Sequence, residues 1–258
     1  MTGRQYRNAS NLAARGRLHS KYARVNWFEW VARRMELPDN SRVLDAGCGA
    51  ARFWCTPTNV RRKIDLTLTD QSAGMIEAAE KNIAALKSPI EFHRQVADIR
   101  QLPFADRTFD NVMAMHMLYH LPNPDDGLSE IARVLKPGGQ VFITTNGMSH
   151  MRELHALASE AYGGPSVDPG ARAFGIDRAE ECLKEHFSNV SVSRCDDFLD
   201  CTSPDDVRDY LLSMPPGDGL DQGQRIRLEQ MIAREFERGG GIFSIRKEAA
   251  LFKAVKTP

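Results

Sequence analysis

The sequence carries no surplus of charge: its 34 Lys and Arg residues equal its 34 Asp and Glu, and the pI is near 7.1. A chain that is neutral as a whole has no general attraction for nucleic acid or an anionic membrane, and DNA is not an expected partner. Long apolar runs are also missing. No stretch approaches the length that crosses a bilayer, and Arg4 and Arg7 are not followed by the apolar core of a secretory signal. The expectation is therefore a cytoplasmic protein with no membrane partner. Cysteine is sparse: Cys48, Cys55, Cys182, Cys195 and Cys201 are odd in number, without the spacing of a zinc site or the density of a disulfide scaffold. Reduced thiols follow, and no metal is expected. There is no internal repeat and no low-complexity tract.

What is present suffices for a full core. With 258 residues, 42% of them hydrophobic and 26% charged, the chain can form one α/β domain with elaborations. Local charge is uneven. Residues 1–36 hold eight basic side chains (Arg4, Arg7, Arg15, Arg17, Lys21, Arg24, Arg33, Arg34) against Glu29 and Glu36, while residues 177–209 lean acidic. This asymmetry reads as two solvated helical faces that touch each other, with a basic groove for an anionic or RNA substrate as the alternative.

Apolar and aromatic residues over 12–35 recur at three- and four-residue steps, which predicts a helix ended by Pro38-Asp39-Asn40. Strands are predicted at 42–45, 64–69, 90–96, 109–115 and 140–145, with helices at 75–86 and 128–135 and a turn at Pro137-Gly138-Gly139. Further on, helices are predicted at 150–162, 177–187, 204–214 and 222–238, with a Gly/Pro-rich connection through Gly170. A strand is predicted at 190–198 and two more at 242–246 and 251–255. Strands alternating with helices at this spacing imply parallel pairing with helices on both faces, and a ligand beyond the carboxyl ends of the strands.

The strongest local signal is Val43-Leu44-Asp45-Ala46-Gly47-Cys48-Gly49-Ala50-Ala51-Arg52, a strand turning through glycines toward a helix. Glycine at 47 and 49 lets the backbone pass close under a ligand. A dinucleotide fingerprint would place a third glycine where this chain has Arg52, and does not need the acid at 45. The segment resembles the class I S-adenosylmethionine-dependent methyltransferases, in the branch typified by ubiquinone/menaquinone-biosynthesis and "type 11" enzymes. That family opens its glycine loop with an acid, as Asp45 does, and usually has glycine where this chain has Ala51. Further matches are Asp70-Gln71-Ser72-Ala73-Gly74-Met75, Val96-Ala97-Asp98-Ile99, the approach to strand four through Leu102-Pro103-Phe104, and Leu135-Lys136-Pro137-Gly138-Gly139.

The resemblance implies an α/β fold with a Rossmann-like, doubly wound, mostly parallel seven-stranded sheet. It implies a helical N-terminal lid over 1–40 and a domain over 41–258, with insertions near 148–172 and 203–240 as a substrate cover. The implied cofactor is S-adenosylmethionine, with S-adenosylhomocysteine as product, contacted by Asp45, Ala46, Gly47, Gly49, Asp70, Gln71, Met75, Asp98, Ile99 and His116. Asp70 would accept both ribose hydroxyls through charge-assisted bonds, and Asp98 the adenine amino group. Met115-His116-Met117-Leu118-Tyr119-His120 falls where the family places residues nearest the transferred methyl. His116 and His120 are the catalytic candidates, imidazole being suited to proton transfer near neutral pH, although His120 also reads as a structural helix start. Tyr6, Arg17, Tyr22 and His150 are candidate substrate contacts; Trp27 and Trp30 read as core, and Trp54 as packing behind the glycine loop. The implied partner is a small-molecule acceptor methylated at O, N or C. An RNA methyltransferase and a non-catalytic cofactor-binding protein are the alternatives.

Overall fold

The computed structural model describes residues 9–86 and 88–257. These fall into two compact units. The larger comprises Trp27–Thr145, Phe174–Arg194 and Ala250–Pro258; the smaller comprises Met1–Asn26, Asn146–Ala173 and Cys195–Ala249.

A seven-stranded sheet runs through the larger unit: β1 (Arg42–Ala46), β2 (Asp65–Asp70), β3 (Glu91–Val96), β4 (Phe109–Met115), β5 (Leu135–Asn146), β6 (Ser188–Cys201) and β7 (Phe243–Val255), in the order β3-β2-β1-β4-β5-β7-β6. The pairs β1·β2, β1·β4, β2·β3 and β4·β5 are parallel. Gly138 bonds Lys256 near one end of β5 and Gly147 bonds Glu248 just past the other, so β7 runs antiparallel to β5. The order reverses between β1 and β4, where open parallel sheets bind ligands.

Helices α2 (Trp27–Ala32), α3 (Ala73–Ala84), α4 (Pro124–Val134) and α7 (Ile176–His186) cover the two faces of this unit. Side chains alternate across a strand, and the core divides accordingly. Leu44, Val112, Val141 and Ile143 join Leu128, Ile131 and Leu183 in one cluster, while Val43, Met113 and Phe142 join Val31, Trp54, Leu66 and Ile83 in the other. Burial on both faces keeps the interiors of β1, β2 and β4 buried at successive positions, Thr67, Thr69 and Asn111 among them. The edge strand β3 is mostly exposed and reads weakly.

Several predicted elements change. The helix expected over 12–35 is two, α1 (Ala9–Tyr22) and α2, separated at residues 23–26. After the glycine loop the chain makes only a 3-10 turn, Arg52–Cys55, where a full helix was expected. The Pro137-Gly138-Gly139 segment lies inside β5 as an irregularity between the Phe109 and Asn111 registers, since the Gly138 N–H still bonds Lys256. The two terminal strands are one, because residues 247–250 continue the ladder. The connection through Gly170 contains the short helix α6 (Pro169–Phe174).

The smaller unit gathers α1, α5 (Arg152–Tyr162), α8 (Pro204–Leu212), α9 (Gln222–Arg238) and the outer parts of β6 and β7 around Leu18, Leu154, Leu211, Leu228, Ile232 and Ile245. Its basic and acidic segments meet. Lys21 Nζ and the Tyr22 hydroxyl donate to Asp206 at 2.7 and 2.6 Å, Arg24 Nε donates to Asp200 at 2.6 Å, and Arg17 approaches Asp209 at 3.8 Å. Among the described residues, no helix is long and apolar enough to cross a membrane.

Candidate active site

The site grows from the carboxyl end of β1. Asp45 occupies a strand position that is only 3% exposed, so its charge is desolvated and needs donors. One comes from Trp54, whose Nε1 donates to Oδ2 at 2.8 Å, while the buried Oδ1 has no hydrogen-bond partner. Burial pushes this carboxyl up to about 7; the Trp54 bond pulls it down and the charge of Asp70 adds to the rise.

Beyond Ala46 the chain turns under the tip of β2, with the Gly47 and Cys48 N–H groups donating to the Thr69 carbonyl at 2.8 and 2.9 Å. Gly47 stands at φ +80°, and a Cβ there would lie 2.9 Å from Met117 Cγ. At Gly49, φ +52°, a Cβ would meet nothing within 4 Å, so the loop faces open space. Ala51, where the family usually has glycine, takes the left-handed conformation itself at φ +54°. The loop therefore keeps its path. Asn82 on α3 braces it through the Ala50 carbonyl at 2.8 Å.

Asp70 ends β2 directly opposite. Its Oδ2 accepts the Gly49 N–H at 3.0 Å and its Oδ1 the Ser72 N–H at 2.8 Å, which ties the first and second strand ends into one rim. Each oxygen keeps a further lone pair. Ser72 caps α3 by accepting from the Met75 N–H, which sets half-buried Met75 and exposed Gln71 beside that carboxylate. Asp98, at the tip of β3, is engaged differently: the Arg100 guanidinium donates to both of its oxygens, at distances from 2.6 to 3.1 Å, and holds its carboxyl below the usual range. Ile99 follows it and is buried.

His116 follows β4 at φ +48°, a conformation uncommon for a residue with a side chain. Its N–H donates to the Thr144 carbonyl and hydroxyl, both at 3.1 Å, which fixes the backbone against the end of β5. Its ring lies 5.4 Å from that of Trp27, and His120, closing the 3-10 turn Leu118–His120, packs edge-on against Tyr119 at 4.6 Å. Asp45, Ala46, Gly47, Gly49, Asp70, Gln71, Met75, Asp98, Ile99, His116 and His120 thus all belong to the larger unit, at or just past the carboxyl ends of β1 to β4.

The substrate candidates do not belong to the larger unit's described residues. Arg17, Tyr22 and His150 are in the smaller unit, the first two against Asp206 and Asp209, and Tyr6 falls outside the described residues. His150 is 9% exposed, its Nδ1 accepts the Glu248 N–H at 3.2 Å, and its ring stacks on His19 at 6.5 Å. Sequence reasoning missed the Trp54 bond to Asp45, the Met117 roof over Gly47 and the Trp27 contact with His116. An acid inside a buried apolar run was the available signal for the first; the other two pair residues remote in sequence.

Residues 44–143 match the family model described as a methyltransferase domain. A sterol 4-C-methyltransferase of Caenorhabditis elegans is 30% identical over 182 residues, covering 64% of this chain and 53% of the relative. A ubiquinone/menaquinone biosynthesis C-methyltransferase of Geotalea daltonii is 32% identical over 126 residues, covering 46% and 51%. The chain thus spans about half the length of these curated relatives. Among solved structures, a putative methyltransferase from Bacillus halodurans shares the fold at TM-score 0.58 and 19% identity, over 90% of this chain and 99% of that one. A phosphoethanolamine N-methyltransferase of Haemonchus contortus, solved with S-adenosyl-L-methionine, does so at TM-score 0.55 and 19% identity, over 96% and 57%. Residues 44–143 thus form a methyltransferase domain, and the strand order and acid-and-glycine loop make it similar to the class I S-adenosylmethionine-dependent methyltransferases.

Proposed function

We propose that this protein binds S-adenosylmethionine at the rim formed by β1, β2 and β3 and transfers its methyl group to a small-molecule acceptor, releasing S-adenosylhomocysteine. The observation that carries this reading is the Gly49–Asp70 hydrogen bond beside a buried Asp45 oxygen that has no donor. A buried acceptor without a donor is costly, and an ammonium group on a ligand would relieve it. Asp70 has lone pairs left for two sugar hydroxyls, with Gln71 and Met75 alongside. Ile99 and Asp98 flank the base position, where Asp98 exchanges its Arg100 partner for an adenine amino group. Ala46, Gly47 and Gly49 form the floor, since a side chain at 47 would strike Met117.

The cofactor supplies an electrophilic methyl carbon on a sulfonium. The protein then has to align the acceptor and exclude water. His116, held by Thr144 at the end of β4, is the group in position to contact the acceptor and take a proton from an acceptor that must lose one. His120 packs behind Tyr119 and supports that turn. Two observations support a small molecule as acceptor: the named relatives are a sterol 4-C-methyltransferase and a ubiquinone/menaquinone biosynthesis C-methyltransferase, and Arg17, Lys21, Arg24 and Arg33 of the N-terminal segment already face acids. Isothermal calorimetry with S-adenosylmethionine tests the first half: micromolar binding is expected, and no heat would remove the reading. Incubation of a metabolite pool with isotope-labelled methyl donor tests the second, with one labelled product expected and none leaving only a cofactor-binding protein.

A further inference from the structure

Trp27, Trp30 and Arg34 lie outside every motif used above, yet they form a continuous chain of ring contacts ending at His116. The Arg34 guanidinium sits 3.8 Å over Trp30, Trp30 stacks on Trp27 at 5.3 Å and 13°, and Trp27 meets His116 at 5.4 Å. The Trp27 Nε1 atom is buried and has no hydrogen-bond partner. That nitrogen belongs to the indole whose ring centroid lies 5.4 Å from that of the imidazole. Buried indole N–H groups usually find an acceptor, and an unexplained one beside a reactive side chain marks a place for a ligand atom. Trp27 and His116 are both only half-buried, so the pair borders solvent.

We propose that Trp27 is a specificity-determining residue of the acceptor subsite, its indole N–H donating to an oxygen of the methyl acceptor held against His116. The acceptor class is then a molecule with a phenolic, carboxylate or carbonyl oxygen close to the methylated atom. An acceptor without such an oxygen leaves the donor unpaired and is disfavoured, as sites built around one buried polar group reject analogues that lack the matching atom. Trp30 stacks on the indole, and Arg34 lies over Trp30. The inference rests on the methyltransferase reading, and the experiment separates the two.

The full chain carrying ¹⁵N in its tryptophan indoles gives one Nε1–H signal for each of Trp27, Trp30 and Trp54, with Trp27 identified by the signal lost in Trp27→Phe. S-adenosylhomocysteine is added first and its binding confirmed by calorimetry; failure at that step overturns the methyltransferase reading itself. Phenol, benzoate and acetone are then titrated as oxygen probes, with toluene as the probe lacking oxygen. The Trp27 signal is expected to move downfield and exchange more slowly with at least one oxygen probe and not with toluene. Trp27→Phe, which keeps an aromatic ring, should bind that probe roughly tenfold more weakly while holding S-adenosylhomocysteine unchanged within about twofold. If S-adenosylhomocysteine binds but no oxygen probe moves the signal, or if toluene moves it equally, the inference is overturned.

Discussion

Asp45 and Asp70 look alike in sequence, each an acid at the end of an apolar strand, yet they face different physics. Asp70 accepts two backbone N–H groups at the rim, and a cofactor ribose would add two more donors. Asp70→Ala should weaken S-adenosylmethionine binding by about 1.5–3 kcal/mol, the range for hydrogen bonds to a charged group; calorimetry showing equal affinity would mean the ribose sits elsewhere. Asp45 is dominated by burial, which raises its carboxyl to about 7 from an ordinary value near 3.9. Between those two values the folded chain holds a proton that the unfolded chain has released. Stability from this group is therefore full below about pH 4 and falls as pH rises through about 7. Asp45→Asn removes that titration, so urea denaturation of the cofactor-free protein should show wild type losing more stability than the variant between pH 5 and pH 8. Parallel losses would show that Asp45 does not titrate in that window.

At the scale of elements, the loop from β1 works because its backbone goes where side chains fit poorly. Gly47→Ala forces a Cβ onto a left-handed residue, at about 1–2 kcal/mol, and drives it into Met117. Denaturant unfolding should show a loss of at least that size. Adding Met117→Ala should recover the steric part and leave the backbone part, and full recovery would show that the backbone is unstrained there. Much at this level could be read from sequence. Strands β1, β2 and β4 are legible as short apolar-rich segments bounded by polar residues and turns, and α9 matches to the residue, with Asp221 and Gln224 capping it reciprocally. The missing helix after the glycine loop was not legible, since Phe53 and Trp54 are buried whether the turn is 3-10 or α. The join of the last two strands was hidden by Arg246-Lys247-Glu248, three charges in a row. Lys247 is nonetheless buried, 3.5 Å from Asp197, a partner fifty residues away.

For the whole molecule, the neutral total charge and the N-terminal surplus of basic residues pointed in different directions. In the smaller unit Arg17, Lys21 and Arg24 face Asp206, Asp209 and Asp200. Cations committed to carboxylates release few counterions from a polyanion, so electrophoretic shift at about 50 mM salt, where phosphate-driven binding is strong, should retain no RNA. Retention that weakens steeply with added salt would revive the basic-groove alternative.

By itself the sequence determined the α/β class and the parallel pairing of the first five strands, which follow from local periodicity and turn chemistry acting over a few residues; the acids and glycines at β1, β2 and β3 were marked by their resemblance to a known family. Only the tertiary structure decided that Asp45 is buried against Trp54, that Asp98 is paired with Arg100, that Tyr22 is spent on Asp206 and that Trp27 stacks on His116. Desolvation and pairing belong to the environment a side chain reaches in space, and that environment is assembled from segments whose separation along the chain carries no local signal.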